Sequence, residues 1–364
     1  MNRKERRSAE KKNRTGGKRS GAVEQSVARA IAAIQGGNLE EGEAILSEVR
    51  RKEPGNVEAK HHLGMILART GRADAGIALL REAVEANPRE ALYWNNLAAS
   101  CLAVQRSAEA AEAAKKATEL DPHYVMAWEN LGFARRDLRQ PDSAVAAFAE
   151  AARLRILDAS TLRSWAACLL ELGRYQAAAE KAREALAADP KAADALSTLG
   201  LALMQQARDD EARAALMQSL EINPENPAAA ISYGRLLLRQ PDGRDSGLRW
   251  LRRATSIVPR SAPAWRILAE ALFRADLKEE AAAAIDRAAK LAPADSAIAA
   301  LQGKIGGSTA AAPEPTAMPA PGLDDLVVSI STAMPAPQVA PAPAKPAGEG
   351  ADPVFDLSVL KIGE

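Results

Sequence analysis

Proline residues recur at a nearly constant interval along most of this chain. Seven of its 21 prolines are separated by 34, 34, 68, 34, 35 and 34 residues, and 68 is twice 34. These seven are Pro54, Pro88, Pro122, Pro190, Pro224, Pro259 and Pro293. A period of this size is typical of one supersecondary unit stacked many times. The spacing therefore predicts a repeat architecture, in which binding surfaces matter more than a single enclosed active site.

Eight repeats follow when each proline is placed at position 32 of a 34-residue repeat. They begin at Val23, Val57, Ala91, Val125, Ala159, Ala193, Pro227 and Ala262. The seventh repeat carries one additional residue near 241–247, and the fourth has Ile156 where proline is expected. Asn-Pro or Asp-Pro pairs close several repeats, and the residue before proline avoids the helical region. Each proline is therefore predicted to end a helix.

Two positions of the repeat hold only alanine or glycine. Position 8 holds Ala30, Gly64, Ala98, Gly132, Ala166, Gly200, Gly234 and Ala269. Position 20 holds Gly42, Gly76, Ala110, Ala144, Ala178, Ala212, Gly247 and Ala281. Positions 4, 7, 8 and 11 fall on one helical stripe, and so do positions 20, 24 and 27. Each repeat is therefore predicted to form two short amphipathic helices that approach closely at the small residues.

Two segments match the opening motif of a known repeat family. They are Trp-Asn-Asn-Leu-Ala at 94–98 and Trp-Glu-Asn-Leu-Gly at 128–132, and Ala144, Phe148 and Ala151 match its second helix. On these residues the chain resembles the tetratricopeptide repeat family over residues 23–295. The resemblance implies an all-α fold, a right-handed superhelical solenoid of antiparallel helix pairs with a concave groove lined by the first helices. It also implies that Trp94, Trp128 and Trp265 pack between repeats.

The ends of the chain differ in composition from the repeats. Ile298, Leu301 and Ile305 predict a capping helix over 296–305, with Gly306 and Gly307 ending the ordered part. The Pro/Ala-rich segment that follows is predicted to be a disordered tail. Two apolar motifs at 323–330 and 354–362 share the string Asp-Leu-x-Val, which is typical of a docking element. The predicted organisation is a basic disordered arm at 1–22, eight repeats at 23–295, the capping helix at 296–305 and the tail at 306–364.

The net charge of +1 conceals a strongly basic N-terminal arm. Residues 1–20 carry nine Lys or Arg against two Glu. The candidate contact residues of the arm are Arg3, Lys4, Arg6, Arg7, Lys11 and Lys12. They could bind RNA or DNA phosphates, an anionic membrane surface or an acidic protein. The arm has no aromatic residues, which argues against nucleic-acid binding by base stacking, and an unbound solvated arm remains the alternative.

Cysteine usage and hydropathy favour a cytoplasmic protein without a membrane span. Cys101 and Cys168 have no paired spacing and are interpreted as reduced thiols. No apolar run is long enough to cross a bilayer. The basic N-terminus lacks the apolar stretch of a secretory signal.

The sequence offers no constellation for catalysis. His61 and His62 are adjacent, so their rings point about 100° apart on a helix and do not form a metal site together. We interpret them as groove or surface imidazoles. No phosphate-binding loop follows the paired glycines. We therefore predict that the chain is not an enzyme and holds no cofactor or metal.

The concave side is the candidate partner-binding surface. Helical periodicity places positions 2, 5, 6, 9, 12 and 13 of the first helices on or near this side. Asparagine at position 6 can both donate to and accept from the backbone of an extended peptide. The predicted groove residues are His62, Arg69, Asn95, Asn96, Glu129, Asn130, Arg136 and Arg163. An ordinary solvated face, polar but unused, is the alternative.

These features together predict a scaffold or adaptor that binds an extended peptide or a partner protein in the groove. The alternatives are an organiser whose basic arm binds RNA or an acidic surface, and an adaptor subunit of a glycosyltransferase or envelope assembly system, as in bacterial chains of this repeat type. The sequence identifies neither the partner nor the oligomeric state.

Overall fold

The structure, a computed structural model, describes residues 21–310, with side chains as far as residue 307. Within this range the chain forms seventeen α-helices and no β-strand, which confirms the all-α prediction. The basic arm residues Arg3 to Lys12 and the tail motifs at 323–330 and 354–362 lie outside the described residues. The predictions made for them therefore stay predictions.

Each repeat consists of two consecutive helices, a first helix and a second helix. The first helices are α1 (21–35), α3 (Val57–Arg69), α5 (Ala91–Ala103), α7 (Val125–Asp137), α9 (Ala159–Glu171), α11 (Ala193–Gln205), α13 (Pro227–Leu237) and α15 (Ala262–Arg274). The second helices are α2 (Leu39–Lys52), α4 (Ala73–Ala86), α6 (Ser107–Leu120), α8 (Pro141–Leu154), α10 (Tyr175–Ala188), α12 (Asp209–Ile222), α14 (Arg244–Ile257) and α16 (Lys278–Leu291). A last helix, α17, spans Ser296–Ala310.

In seven of the eight repeats, all but the seventh, the turn between the two helices passes through one residue in the left-handed region. Gly71 has φ 82° there, and its neighbour Arg72 donates its N–H to the carbonyl of Leu67 at 2.9 Å. This bond closes the C-terminal end of α3 in the manner of a Schellman motif. Four repeats place a side-chain-bearing residue at the same point, with φ of 57–58°. These residues are Gln105, Arg139, Ala207 and Asp276.

The turn between repeats explains why tryptophan and proline recur together. The second helices end two residues before the spaced prolines, as the sequence predicts. The carbonyl of Pro122 then accepts a hydrogen bond from the indole Nε1 of Trp128 at 2.9 Å. Trp94 and Trp265 make the same bond to Pro88 and Pro259, each at 3.0 Å. Each of these prolines therefore ends one repeat and holds the first helix of the next.

Replacing Trp128 with phenylalanine should lower the stability of the fourth repeat by about 1 kcal/mol, because the indole hydrogen bond is lost while most of the ring packing remains. Hydrogen–deuterium exchange of α7 would measure the loss. Trp250→Phe, which removes an indole in α14, is the matched control and should leave exchange in α7 unchanged. Equal exchange in wild type and Trp128→Phe would contradict the role assigned to this bond.

The small residues at positions 8 and 20 are required by close helix packing. A Cβ added at Gly64 would lie 2.9 Å from the carbonyl oxygen of Gly76, and one added at Gly76 would lie 2.5 Å from that of Gly64. Such distances are shorter than real Cβ contacts, so α3 and α4 can approach this closely only with glycine at both positions. The predicted close approach is confirmed.

Glycine at position 8 is paired with a large residue at position 24. A Cβ on Gly132 would lie 2.4 Å from a ring carbon of Phe148, and one on Gly200 would lie 2.6 Å from Leu216. In the third repeat the same two positions hold Ala98 and Ala114, both fully buried. In these repeats a smaller residue at position 8 therefore accompanies a larger one at position 24, which keeps the filled volume nearly constant, as close-packed interiors require.

The chain divides into two compact units, with the boundary between Ile156 and Leu157. The first contains the described residues 21–156 and the second 157–310. Ile156 stands where proline is expected and is 95% exposed. Instead of the proline turn, Asp158 caps α9 by accepting the N–H of Thr161 at 2.7 Å.

The apolar cores lie between neighbouring repeats. In the first unit, one buried cluster joins residues of the first two repeats, among them Val27, Leu46 and Ile66. A second cluster extends from Ile77 through Leu97 to Leu131 and thus spans three repeats. A core shared in this way makes the stability of each repeat depend on its neighbours.

The last helix is longer than the sequence predicts. Ile298 and Ile305 are buried at 1% exposure, as expected for a capping helix. The helix continues past residue 305, through Gly306 and Gly307, to Ala310. Glycine lowers helix propensity by about 1 kcal/mol but does not forbid helical backbone, and neither glycine has a left-handed φ.

Candidate functional site

The first helices line the inner side of each unit. In the first unit α3 contacts α5 and α5 contacts α7, and in the second unit α9 contacts α11 and α11 contacts α13. The second helices of successive repeats in a unit do not approach one another as closely. A stack whose first helices are closer together than its second helices curves toward the first helices. The first-helix side is therefore the concave side within each unit.

A row of buried amides joins the first helices of the first unit. Asn130 on α7 donates from Nδ2 to Oδ1 of Asn95 on α5 at 2.9 Å. Asn95 donates to Oδ1 of Asn96 at 3.2 Å, and Nδ2 of Asn96 lies 3.1 Å from Nε2 of His61 on α3. All four side chains are buried, with at most 1% exposure. We call His61, Asn95, Asn96 and Asn130 the amide ladder.

A buried carboxylate lies beside the amide ladder. Glu129 is fully buried, and its Oε2 accepts a hydrogen bond from Nη2 of Arg155 at 2.9 Å. Arg155 follows α8, so this ion pair ties the end of the fourth repeat to its first helix. A buried carboxylate requires such a partner because removing its charge from water is costly.

Five of the eight predicted groove residues are therefore not on an open surface. His62, Asn95, Asn96, Glu129 and Asn130 are all buried. Asn96 and Asn130 bond to residues of the neighbouring first helices, and Glu129 bonds to Arg155 after α8. His61 and His62, interpreted as groove or surface imidazoles, are both buried, with 1% and 5% exposure. No observation tests partner binding by these residues, and that assignment stays a prediction.

The other three predicted residues remain accessible. Arg69 is exposed at the end of α3. Arg136 is partly exposed on α7, where it pairs with Asp137 at 2.7 Å and lies over the ring of Phe133. Arg163 is partly exposed on α9, in the second unit. Arg69 and Arg136 thus leave guanidinium groups on the first-helix side of the first unit.

Burial controls the protonation of the two adjacent histidines. Burial lowers the pKa of His62 to about 4. Burial, and then the charge of His62, lower the pKa of His61 well below its usual value. The amide nitrogen of Asn96 can only donate, so Nε2 of His61 must accept and carry no proton. Both rings are therefore neutral near pH 7 and serve the packing of the first helices.

The second unit carries arginines on its first helices that the sequence analysis did not single out. Arg235 on α13 and Arg266 on α15 were not among the predicted groove residues. The pKa of Arg235 is lowered to about 10, first by burial, with Glu270 opposing the shift and the charges of Arg239, Arg274 and Arg266 contributing to it. The recurrence of arginine at positions 5, 9 and 13 was the sequence signal that could have identified this cluster.

Other kinds of site are not found among the described residues. No group of three or more His, Cys, Asp or Glu side chains within residues 21–307 is arranged to hold a metal ion. None of the helices in the described part is both long and apolar enough to cross a bilayer. Cys101 and Cys168 are both buried and form no disulfide with each other. Burial raises the pKa of Cys101 to about 11, which suits a packing role for this thiol rather than a reactive one.

The paired helices, the small residues at their contacts and the shared cores define a helical-repeat protein. Models of the tetratricopeptide repeat match residues 33–101 and 169–236, residues 130–193 and 246–296, and residues 91–124. Because these matches cover more than half of the chain, the chain belongs to the tetratricopeptide repeat family. No match to the chain is found among curated proteins.

Solved structures with the same fold include proteins of different length. The Cut9 and Hcn1 hetero-tetramer of APC/C has a TM-score of 0.54 at 17% identity, with 73% of this chain and 52% of that chain covered. This chain thus spans about half the length of that one. PilF of Pseudomonas aeruginosa has a TM-score of 0.51 at 19% identity, with 61% of this chain and 99% of that chain covered. At these identities the likeness establishes the fold alone.

Proposed function

We propose that this chain is a protein-interaction scaffold that binds an extended segment of a partner protein along its first helices. The observation that carries the proposal is that polar side chains on the concave side have two different roles. The amide ladder holds the first helices of the first unit together, while Arg69 and Arg136 leave guanidinium groups accessible beside it. A curved surface with a rigid base and accessible charges suits a peptide in extended conformation.

The charge of these residues indicates the kind of segment that fits. Guanidinium groups bind carboxylates through paired N–H donors, with geometry that a lysine cannot reproduce. A partner segment with Asp or Glu side chains is therefore favoured over a basic one. Cys101 and Cys168 form no disulfide with each other, which supports a cytoplasmic location for the scaffold.

Affinity purification of the full chain, followed by mass spectrometry, tests the proposal. Arg69→Glu combined with Arg136→Glu should reduce retention of a specific partner by tenfold or more, because both cations become repulsive to an acidic segment (two charge-assisted contacts, about 1.4 kcal/mol per tenfold). The matched control is Arg153→Glu, at an arginine of α8 whose side chain is 72% exposed. This control reverses a charge on a second helix and should retain the partner.

Replacing the buried asparagines would not test binding. Asn96 and Asn130 bond to His61 and Asn95 inside the stack, so their removal weakens the fold itself. Full retention of the partner by the Arg69→Glu and Arg136→Glu variant would contradict the proposed surface. Turnover of a defined substrate by the purified chain without any partner would contradict the proposed class of function.

A further inference from the structure

Large apolar side chains are exposed at few points of the described structure, and two of these points lie on α12. Met217 is 43% exposed and Ile222 is 39% exposed. Within residues 21–307, the other large apolar residues exposed to this degree are Val104 and Ile156. A single exposed apolar residue needs no explanation. Met217, however, interrupts a pattern of ion pairs that recurs along the second helices.

This pattern joins position 25 of one repeat to position 19 of the next. An arginine at position 25 pairs with a glutamate at position 19 in three places, which are Arg81 with Glu109, Arg183 with Glu211, and Arg252 with Glu280. Position 25 of α12 holds Met217 instead, and position 19 of α14 holds Ser246. By equivalence with the three pairs, the Met217 side chain faces Ser246.

One stripe of α14 is rich in arginine and tryptophan. Ser246, Arg249, Trp250 and Arg253 follow the helical spacing i, i+3, i+4 and i+7 and therefore share a face. Arg249 donates from Nη2 to Oγ of Ser246 at 2.8 Å, and the Arg253 guanidinium lies over the Trp250 ring, 5.2 Å from its centroid. Arg253 also donates from Nη2 to the carbonyl oxygen of Pro224, just after α12, at 3.1 Å. This stripe therefore faces α12.

The two arginines of the stripe keep their charge available. Both are exposed. Among the residues that the structure describes, Arg249 bonds to a hydroxyl and Arg253 contacts a carbonyl oxygen and an aromatic ring, and neither pairs with a carboxylate. Exposed apolar and cationic side chains thus occur together on the second-helix side of the second unit. We call Met217, Ile222, Arg249, Trp250 and Arg253 the outer surface.

The packing of α12 and α14 leaves a groove at the outer surface. Each of these helices packs against α13, but they approach each other less closely than either approaches α13. Met217 borders the groove from α12, and the arginine stripe borders it from α14. A groove between two helices, lined by apolar side chains, is a typical binding place for an amphipathic helix.

The composition of the outer surface favours a protein partner over a nucleic acid. Methionine, tryptophan and arginine are enriched in protein–protein interfaces, and tryptophan and arginine are frequent among the residues that dominate binding. Trp250 already contacts Arg253 and, edge-to-face, Tyr233 with ring centroids 5.5 Å apart, so it is not a free platform for a nucleobase. A nucleic acid would also leave Met217 and Ile222 without apolar contacts.

We propose that the outer surface binds a helix of a partner protein that carries apolar residues on one face and Asp or Glu beside them. The apolar face covers Met217 and Ile222, and the carboxylates pair with Arg249 and Arg253. This surface lies on second helices, whereas the proposed scaffold function uses first helices of the first unit. The inference therefore goes beyond that function and gives the chain a second, independent binding surface.

A labelled helical peptide with leucine on one face and glutamate beside it, titrated into the full chain and followed by fluorescence anisotropy, tests the proposal. Met217→Glu should weaken binding at least about tenfold, because it removes an apolar contact and adds a repulsive charge. Arg249→Gln with Arg253→Gln should also weaken binding at least about tenfold. The matched control, Arg183→Gln with Arg252→Gln, removes the same charge from two paired arginines on second helices of the same unit and should leave binding unchanged.

Several outcomes would overturn the proposal. One is equal binding of the peptide to wild type and to the Met217→Glu chain, in which the substituted side chain is already exposed. Another is an equal loss in the control pair, which would show attraction by overall charge alone. The single variant Arg249→Gln, which loses only a bond within α14, should still weaken binding at least about threefold, and an unchanged affinity would contradict the role of this arginine.

Two further comparisons separate this surface from other modes of binding. Tighter binding of a single-stranded RNA than of the peptide, lost in the Arg249→Gln and Arg253→Gln chain, would exclude a protein helix as the occupant. The peptide should bind normally to the Arg69→Glu and Arg136→Glu chain. Loss of binding there would assign the peptide to the first unit and overturn the inference, while the proposed scaffold function would stand.

Discussion

Replacing Phe148 with alanine should destabilise the fourth repeat by about 3–5 kcal/mol. Its side chain is fully buried and packs edge-to-face against Phe133, with ring centroids 5.4 Å apart. It also covers Gly132, where no Cβ exists to fill the cavity that the substitution leaves. Chemical denaturation, combined with hydrogen–deuterium exchange in α7 and α8, would measure the loss, since repeats in such arrays open partly independently.

The partner residue provides a stringent control for this prediction. Gly132→Ala should cost about 1–3 kcal/mol because its Cβ would lie 2.4 Å from Phe148. The double variant should lose at least about 1 kcal/mol less than the sum of the two single losses. Its two alanines reproduce the combination that Ala98 and Ala114 form in the third repeat. Additive losses would show that the two positions do not pack against each other as the structure indicates.

Lowering the pH from 7 to 5 should destabilise the first unit by about 2 kcal/mol through His62, and His61 should add to the loss in the same direction. Burial lowers the pKa of His62 to about 4 and that of His61 well below its usual value. In the unfolded chain both histidines take up a proton near pH 6.5. The unfolded state therefore binds more protons between pH 6.5 and about 4. The stability that the neutral rings provide is fully present above this window and is lost as the pH falls through it.

Variants of single histidines isolate this effect. His62→Gln should reduce the dependence of the unfolding free energy on pH, because one buried titrating group is removed. His123→Gln replaces the exposed third histidine and is the matched control. Denaturant unfolding of the full chain at pH 7, 6 and 5 would provide the comparison. If His62→Gln leaves the pH dependence of the unfolding free energy unchanged, the His62 ring is not neutral and buried in the native state.

The local structure of this protein could be predicted in detail from the sequence. The first helices begin at the repeat starts deduced from the proline spacing, from Val57 in the second repeat to Ala262 in the eighth. These boundaries depend on interactions between near neighbours, such as the proline that ends a helix and the glycine that completes a turn. The contact of small residues at positions 8 and 20 was predictable too, because it joins two helices of one repeat at a constant separation.

Whether the polar residues on the first helices are buried or exposed could not be predicted in the same way. Asn95 and Asn96 lie on the expected face of α5, but that face is covered by neighbouring first helices and bonds to Asn130 and His61. Periodicity describes a face relative to its own helix and contains no information on how the next repeat is rotated against it. The break at Ile156 was visible as a missing proline, but the sequence did not show that the chain divides into two compact units after this residue.

By itself the sequence determined the family, the number of repeats and nearly every helix, because these depend on interactions that recur every 34 residues. The tertiary structure alone decided which polar side chains are enclosed between repeats and which stay accessible. The amide ladder became part of the packing, whereas Arg69 and Arg136 kept exposed surface. The physical reason is that side chains from several helices determine how buried a residue is and which charges surround it. These helices lie about one repeat apart in sequence, and only the stacked structure defines how they are placed relative to one another.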